Sequence, residues 1–234
     1  MTENGSTVVI GGTSGLGREV AAHYADRGRQ VVISGRDESR TQAVAREIGG
    51  ATAAVALDLS EPKGIAPALA DIGTVDHLVI AAIDRDMNTV ADYDIDAAIR
   101  LTTLKLVGYT EVVHTLASRL HDESAIVLFG GLAKDKPYPG STTVTTINGG
   151  VTGLVRTLVS ELAPVRTNAI HPGIVADSPF WAGKPPEVLE AVRAKTPTGR
   201  MMRMQDIVDA VAFLLENPGM NGVDLPVDGG WSLT

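Results

Sequence analysis

No cysteine occurs anywhere in the 234 residues. That absence excludes disulfides, thiolate catalysis and Cys-ligated zinc or iron–sulfur clusters, and it fits a reducing, cytoplasmic setting. Positive charge is in short supply too. Twenty Lys and Arg against 28 Asp and Glu leave a formal charge of −8, which argues against phosphate backbones and anionic membranes as partners. No apolar run reaches the roughly 18 residues of a membrane span, and the opening "MTENGS" lacks the basic and apolar parts of a signal peptide. Neither nucleic acid nor membrane is therefore an expected partner. His23, His77, His114 and His121 show no metal-ligand spacing, and no metal site is expected.

What is present is alternation. "STVVIGG" is short, β-branched and closed by glycine, as a buried strand is, and "GREVAAHYADRG" follows with helical spacing and a terminal glycine. The pattern repeats through "QVVISG", "SRTQAVAREIGG", "ATAAVAL", "GIAPALADIG" and "DHLVIAA". A long helix is expected over about 91–121, then a strand at "SAIVLFGG", a helix over 142–162 and a strand at "RTNAIHPG". A helix over 205–216 and a last strand near "GVDLPVDGG" complete the series. Apolar strands separated by helices predict one α/β domain over 1–234, with a doubly wound parallel sheet of about seven strands and helices on both faces. The stretch from about 175 to 203, rich in Pro, Gly and Met, is the expected substrate loop.

The first strand-to-helix turn carries specific chemistry. In "VVIGGTSGLGREV", Gly11, Gly15 and Gly17 let the backbone approach a pyrophosphate, while the new helix offers free N–H groups and its positive end. Thr13 and Ser14 add hydroxyl donors. At the end of the second strand an acidic residue would grip the ribose hydroxyls of NAD, but Gly35 and Arg36 stand there. Glycine leaves room for a 2′-phosphate and a guanidinium pairs with it, so the expected cofactor is NADP(H). Asp37 reads as the cap of the second helix, and Asp58, ending the third strand, as acceptor for the adenine amino group.

The glycine turn, "DLS", "DHLVIAA", "NAIHPGIV" and the ending "IVDAVAFLLENPGMNGVDLPVDGGWS" resemble the short-chain dehydrogenase/reductase family in order and spacing, over nearly the whole chain. The resemblance implies a single Rossmann domain in which Leu16, Leu59, Ala81 and Ala82 also face the cofactor. It implies that Asn168, Pro172, Gly173 and Val175 shape the nicotinamide pocket, and that Asp177 or Ser178 holds the carboxamide. It also implies a homotetramer or homodimer, associating through the two long helices and the last strand, where Trp231 offers apolar surface. The family's catalytic set is Ser, Tyr, a Lys four residues after the Tyr, and an assisting Asn. In this chain the matching positions are Gly131, Val144, Asn148 and Lys105, and no Tyr stands four residues before any Lys. The family's "NNAG" after the fourth strand becomes Ile80, Ala81, Ala82 and Ile83.

Three residues are candidates to replace the missing chemistry. Lys105 lies beside the apolar stripe Leu101, Leu104, Gly108, Val112 and Leu116, where it either faces inward with a lowered pKa or reaches along the edge to solvent. Asn148 can bond the nicotinamide ribose but brings no charge, and Tyr138 on the preceding loop offers a phenol. Ser141, Thr142, Thr143, Thr145 and Thr146 supply further hydroxyls, or simply start the helix, and His171, before Pro172 near the expected nicotinamide end, reads as structural rather than catalytic. A small-molecule substrate with an electron-poor, conjugated carbonyl, a quinone or polycyclic aromatic ketone, needs the least protonic help. The expectation is an NADP(H)-dependent oxidoreductase with a non-standard active site. An SDR-like monooxygenase of electron-rich aromatics and a non-catalytic NADP(H) sensor are the alternatives.

Overall fold

The computed structural model describes residues 5–234. Seven parallel strands form one sheet in the order β3-β2-β1-β4-β5-β6-β7. These are β1 (Ser6–Ile10), β2 (Val31–Gly35), β3 (Thr52–Ala56), β4 (Val75–Ile80), β5 (Leu120–Phe129), β6 (Arg166–Pro172) and β7 (Asp224–Val227). Along β1, Val8 and Ile10 enter one core and Val9 the other. Successive side chains on opposite faces, both apolar, are the reason the strands read as unbroken hydrophobic runs.

Helices α1 (Gly15–Ala25), α2 (Glu38–Ile48) and α8 (Met204–Glu216) contribute to one core. Helices α3 (Ile65–Ala68), α5 (Tyr109–Leu116) and α6 (Thr142–Glu161) contribute to the other. Asp37 caps α2 as expected, its carboxylate accepting from the Arg40 N–H at 2.7 Å.

Three expectations need correction. "GIAPALADIG" forms only the four-residue α3 after a 3-10 turn at Pro62–Gly64: Pro67 has no N–H to donate to the Lys63 carbonyl, which bars an earlier start, and Gly64 and Gly73 at the ends are poor helix formers. The short helix leaves an open groove of about 950 Å³ beside β3, lined by Ser6, Gln30, Val32 and Ala54 and by none of the predicted site residues. The long helix expected over 91–121 runs instead as α4 (Ile95–Thr102), a π turn at Thr103–Gly108 and α5, ending in a 3-10 turn at Ala117–Arg119. Asp94 sets its start by capping the Ala97 N–H at 3.0 Å. Finally, the stretch after β6 contains a helix, α7 (Pro186–Lys195), opened by a proline at its first position.

Candidate active site

The carboxyl ends of β1 and β4 border the crevice where the strand order reverses, the place where open α/β sheets hold ligands. Gly15 opens α1 with φ +53°, a conformation that side chains rarely tolerate. A Cβ on Gly17 would stand 2.2 Å from the Gly11 carbonyl, so this glycine permits the helix to sit against the strand end. Ser14 precedes the helix with no capping bond from its side chain, and it is exposed. The turn therefore presents a free hydroxyl and unpaired helix N–H groups to one spot.

At the adenosine end predicted from sequence, Arg36 is 65% exposed and its nearest charge is Asp84, at 4.0 Å. Arg100 on α4 approaches the same Asp84 oxygen at 3.7 Å and Asp58 at 3.7 Å. These are loose pairs, unlike Arg200–Asp206 at 2.6 Å. Asp58 has its other oxygen committed to the Ser60 N–H (2.8 Å) and hydroxyl (2.6 Å). These contacts, with Arg100 and Arg36 nearby, outweigh partial burial and lower its pKa. Arg100 and Asp84 were missed by sequence reasoning, since one lies on a helix face and the other in a loop with no motif.

Of the positions that match the family's catalytic set, Lys105 lies on the π turn and Val144 and Asn148 on α6. The turn's wider i→i+5 spacing puts both Leu104 and Tyr109 inside, and Lys105 with them, 1% exposed. The inward reading of Lys105 is the one observed. Its Nζ has no hydrogen-bond partner among the described residues and lies 5.1 Å from the centre of the Tyr109 ring. Burial, reinforced by the charge of Arg85, lowers its pKa from 10.5 to about 7. Gly108 packs so closely on the β3–α3 connection that a Cβ there would stand 2.5 Å from the Leu59 carbonyl.

Tyr109 follows Lys105 by four residues, the reverse order of the family's Tyr and Lys. A search in both directions would have found the pair. Its phenol donates to the Ala82 carbonyl at 2.8 Å, and the Phe129 carbonyl lies 3.3 Å away. Burial raises its pKa, so it ties β4 to β5 rather than releasing a proton.

Asn148 and Gly131 meet directly: a Cβ on Gly131 would fall 2.6 Å from Asn148 Nδ2. Asn148 is buried. Val144, one turn earlier, packs with Leu101, Ala133 and Ile147. The structure thus groups Asn148, Val144 and Gly131 at the ends of β5 and α6. Tyr138 stands apart, 45% exposed on its loop. Ser141 is used locally, bonded to the Tyr138 carbonyl (2.6 Å) and to Thr145 (2.9 Å).

Several predicted residues are committed to local structure. His171 Nδ1 accepts from the Gly131 N–H at 3.0 Å, so its Nε2 carries the proton and donates to Asp224 at 2.8 Å. Burial lowers its pKa. Asp177 accepts from the Met204 N–H at 2.8 Å and Ser178 donates to the Val175 carbonyl at 2.8 Å. Both bonds close the base of the loop that begins at Val175, which pairs with Met202. Pro179 Cδ lies 3.7 Å from where a Cβ on Gly15 would stand, bringing that loop over the glycine turn. The Gly173 N–H donates to the Val227 carbonyl at 2.9 Å. Lys136 Nζ lies 4.3 Å from the centre of the Trp231 ring.

The family model described as Enoyl-(Acyl carrier protein) reductase matches residues 11–232. Carbonyl reductase family member 4 of Danio rerio is 31% identical, covering 97% of each chain. The 3-oxoacyl-[acyl-carrier-protein] reductase of Mus musculus is 29% identical over the same share of each. A solved short chain dehydrogenase/reductase family protein superposes with a TM-score of 0.88 at 30% identity, covering 99% of both chains. By this match of sequence, fold and glycine turn, the chain belongs to the short-chain dehydrogenase/reductase family of oxidoreductases.

Proposed function

We propose that the protein is an NADPH-dependent reductase of electron-poor, conjugated carbonyl compounds, of the quinone or polycyclic aromatic ketone kind, with a non-standard active site. The observation that carries this reading is Lys105, a buried amine with no partner of its own, on the helix bordering Val144 and Ile147. A buried amine left without a hydrogen bond is costly in a structural role and useful in a site where a substrate oxygen completes it.

The residues present suit a 2′-phosphorylated dinucleotide. Gly11, Thr13, Ser14, Gly15, Leu16 and Gly17 form the phosphate turn, and Ser14 and the first N–H groups of α1 are free to donate. Arg36 and Arg100 make no hydrogen bond through their guanidiniums to a described residue, only the loose approach to Asp84 and Asp58. A 2′-phosphate offers Arg36 a stronger partner than Asp84 does. Asp58, Leu59, Ala81 and Ala82 border the adenosine, and Asn148, Pro172, Gly173 and Val175 the nicotinamide. When bound there, the reduced cofactor supplies a hydride to the substrate carbon.

This chain's part is to orient the carbonyl and manage its oxygen. Lys105 in its protonated form donates to that oxygen as negative charge develops and gives up its proton, which solvent later restores. With a pKa of about 7, it is poised for this near neutrality. Asn148 presents an uncharged amide beside Gly131, and Val144 keeps the wall apolar for a flat ring. The loop over about 175–203 covers the substrate. Ile95, Ile99 and Val107 are exposed on one long helix, and Gly149 and Gly153 lie open on the adjacent α6. They support self-association of two or four copies through these helices.

The test is cofactor consumption by the purified protein with a quinone, a polycyclic ketone and a simple aliphatic ketone. The expected result is oxidation of NADPH with the first two and little with the third. Efficient turnover of the aliphatic ketone would refute the proton argument. Tight NADPH binding without consumption by any carbonyl would make the protein a sensor.

A further inference from the structure

In a chain with a formal charge of −8, the mouth of the site is cationic. Arg85, in the loop after β4, lies with its guanidinium carbon 4.5 Å from the centre of the Phe180 ring. Lys184 Nζ lies 4.5 Å from the centre of the same ring. Neither cation forms an ion pair or a side-chain hydrogen bond with a described residue; Arg18, Arg29, Arg193 and Arg200 have carboxylate partners, while Arg40, Arg46 and Lys63 also lack one, so it is the sharing of one ring that sets Arg85 and Lys184 apart. The carboxylates next to Arg85 in sequence do not pair with its guanidinium: Asp84 accepts from the Arg85 backbone N–H at 2.9 Å. Asp84 faces Arg36 and Arg100, and Asp86 accepts from Asn88 at 2.8 Å. Asn88 is itself buried and holds the loop to α6, reaching Thr143 Oγ1 at 3.2 Å. Arg85 therefore projects from an anchored segment, and its charge also acts on Lys105.

Two like charges on one ring repel each other, and a cation–π contact at an exposed position recovers little. A guanidinium braced on a ring keeps its edge N–H groups free, in the planar fork that matches a carboxylate. The missing member of the arrangement is an anion. We infer that the substrate carries an ionised oxyanion group, a carboxylate or a phenolate, which Arg85 and Lys184 grip at the mouth while its carbonyl oxygen reaches Lys105. The inference rests on the reading of the protein as a carbonyl reductase and deepens it by naming the substrate's second handle. Two fixed points, one at each end, orient a flat molecule that an apolar wall alone would let rotate.

The same oxyanion chemistry is present in the cofactor's phosphates, so the test separates the two sources. Protein loaded with NADP+, which cannot reduce the ring, is titrated with a naphthoquinone bearing a propionate side chain and with its methyl ester, whose ring has the same electron affinity, and reduction of each is followed separately with NADPH. Affinity is read from tryptophan fluorescence in a Trp231→Phe background, which leaves as reporter Trp181, edge-on against Phe180 at 5.4 Å. The acid should bind about tenfold more tightly than the ester at low salt, and the advantage should shrink in about 0.5 M salt. In the double variant Arg85→Gln, Lys184→Gln the acid-to-ester ratio should fall to near one. A ratio of one in the unaltered protein, or a ratio that survives in the variant, overturns the inference. Loss of NADPH affinity in the variant with an unchanged ratio also overturns it, by assigning both cations to the cofactor. Preferred binding of the acid without reduction of either compound would leave the anion site standing and remove the reductase reading.

Discussion

Lys105 and His171 are two buried bases near the carboxyl edge of the same sheet, and their surroundings are opposite. His171 is wholly buried with both ring nitrogens bonded, to the Gly131 N–H and to Asp224. A Cβ on Gly130 would lie 2.3 Å from its ring, so the backbone is shaped around it. Lys105 is equally hidden but bonded to nothing among the described residues. The first is a fastener that ties β5 to β6 and β7. The second is a group whose own fold leaves it incomplete, and this difference, more than burial or residue type, separates a structural base from a candidate catalytic one.

The comparison breaks most sharply by substitution. Lys105→Met keeps much of the volume and removes the charge, and turnover of an active quinone should fall on the order of 100-fold. The pH profile carries the signature. Activity of the unaltered protein, read as kcat/KM, should decline as pH rises through about 7, where Lys105 loses its proton. The variant should lack that limb. Stability should move the other way. Because the folded pKa is depressed below 10.5, the unfolded chain binds more protons between about pH 7 and 10.5, and stability contributed by this group rises with pH over that window. Lys105→Met should flatten that slope and stabilise the protein most below pH 7. Unchanged turnover with intact folding would remove Lys105 from the mechanism.

For His171 the expected order is reversed. His171→Leu leaves the Gly131 N–H and the Asp224 carboxylate without their partner, at a cost of about 2 kcal/mol, roughly 30-fold in the folding equilibrium. Urea unfolding measures it. Because burial lowers the imidazole pKa, the unfolded chain takes up a proton first on acidification. Stability is thus lost as pH falls below about 6.5, and the variant should not show that loss. A variant of normal stability with impaired turnover would instead make His171 a catalytic group.

The adenosine end offers a third contrast, between groups held loosely and groups held tightly. Arg36 is mostly exposed and lies 4.0 Å from Asp84, so its removal should scarcely touch stability. Arg36→Asp should lower NADPH affinity relative to NADH by about tenfold, a figure discounted for solvent screening. Fluorescence titration with both cofactors decides it, and equal losses for both would sink the assignment.

The sheet, its order of elements and the glycine turn were legible because each rests on local patterns: β-branched runs, helical spacing and glycines that no other residue replaces. The inward face of Lys105 was only half legible. Its stripe was visible, but the π turn that carries it inside depends on i→i+5 packing that a 3.6-residue period does not encode. The short α3 differs from the expected helix because the apolar pattern of "GIAPALADIG" is longer than the helix its backbone forms: Pro67 bars an earlier start and the flanking glycines favour turns. Arg100, Asp84, Arg85 and Lys184 carry no motif. Their meaning comes from which charges lack partners, and only tertiary structure shows that.

The smallest expected effect sharpens the comparison from the other side, by asking whether the family's residues can simply be put back. Val144→Tyr with Asn148→Lys and Gly131→Ser restores a phenol, an ammonium and a hydroxyl at the matching positions. Yet each enters a prepared space. A Cβ at 131 would stand 2.6 Å from the present Asn148 amide, so any side chain there competes with the one at 148. Val144 is packed among Leu101, Ala133 and Ile147, and a phenol must push through that cluster to reach the carbonyl. A lysine at 148 would also share the site with Lys105, whose charge raises the cost of a second one. The triple variant should therefore change turnover of a simple aliphatic ketone by less than about threefold, while Lys105→Asn added to it should improve that turnover by relieving the repulsion. Steady-state rates of the triple and quadruple variants test both statements. Strong ketone reduction by the triple variant alone would show that Lys105 stands clear of the reacting oxygen.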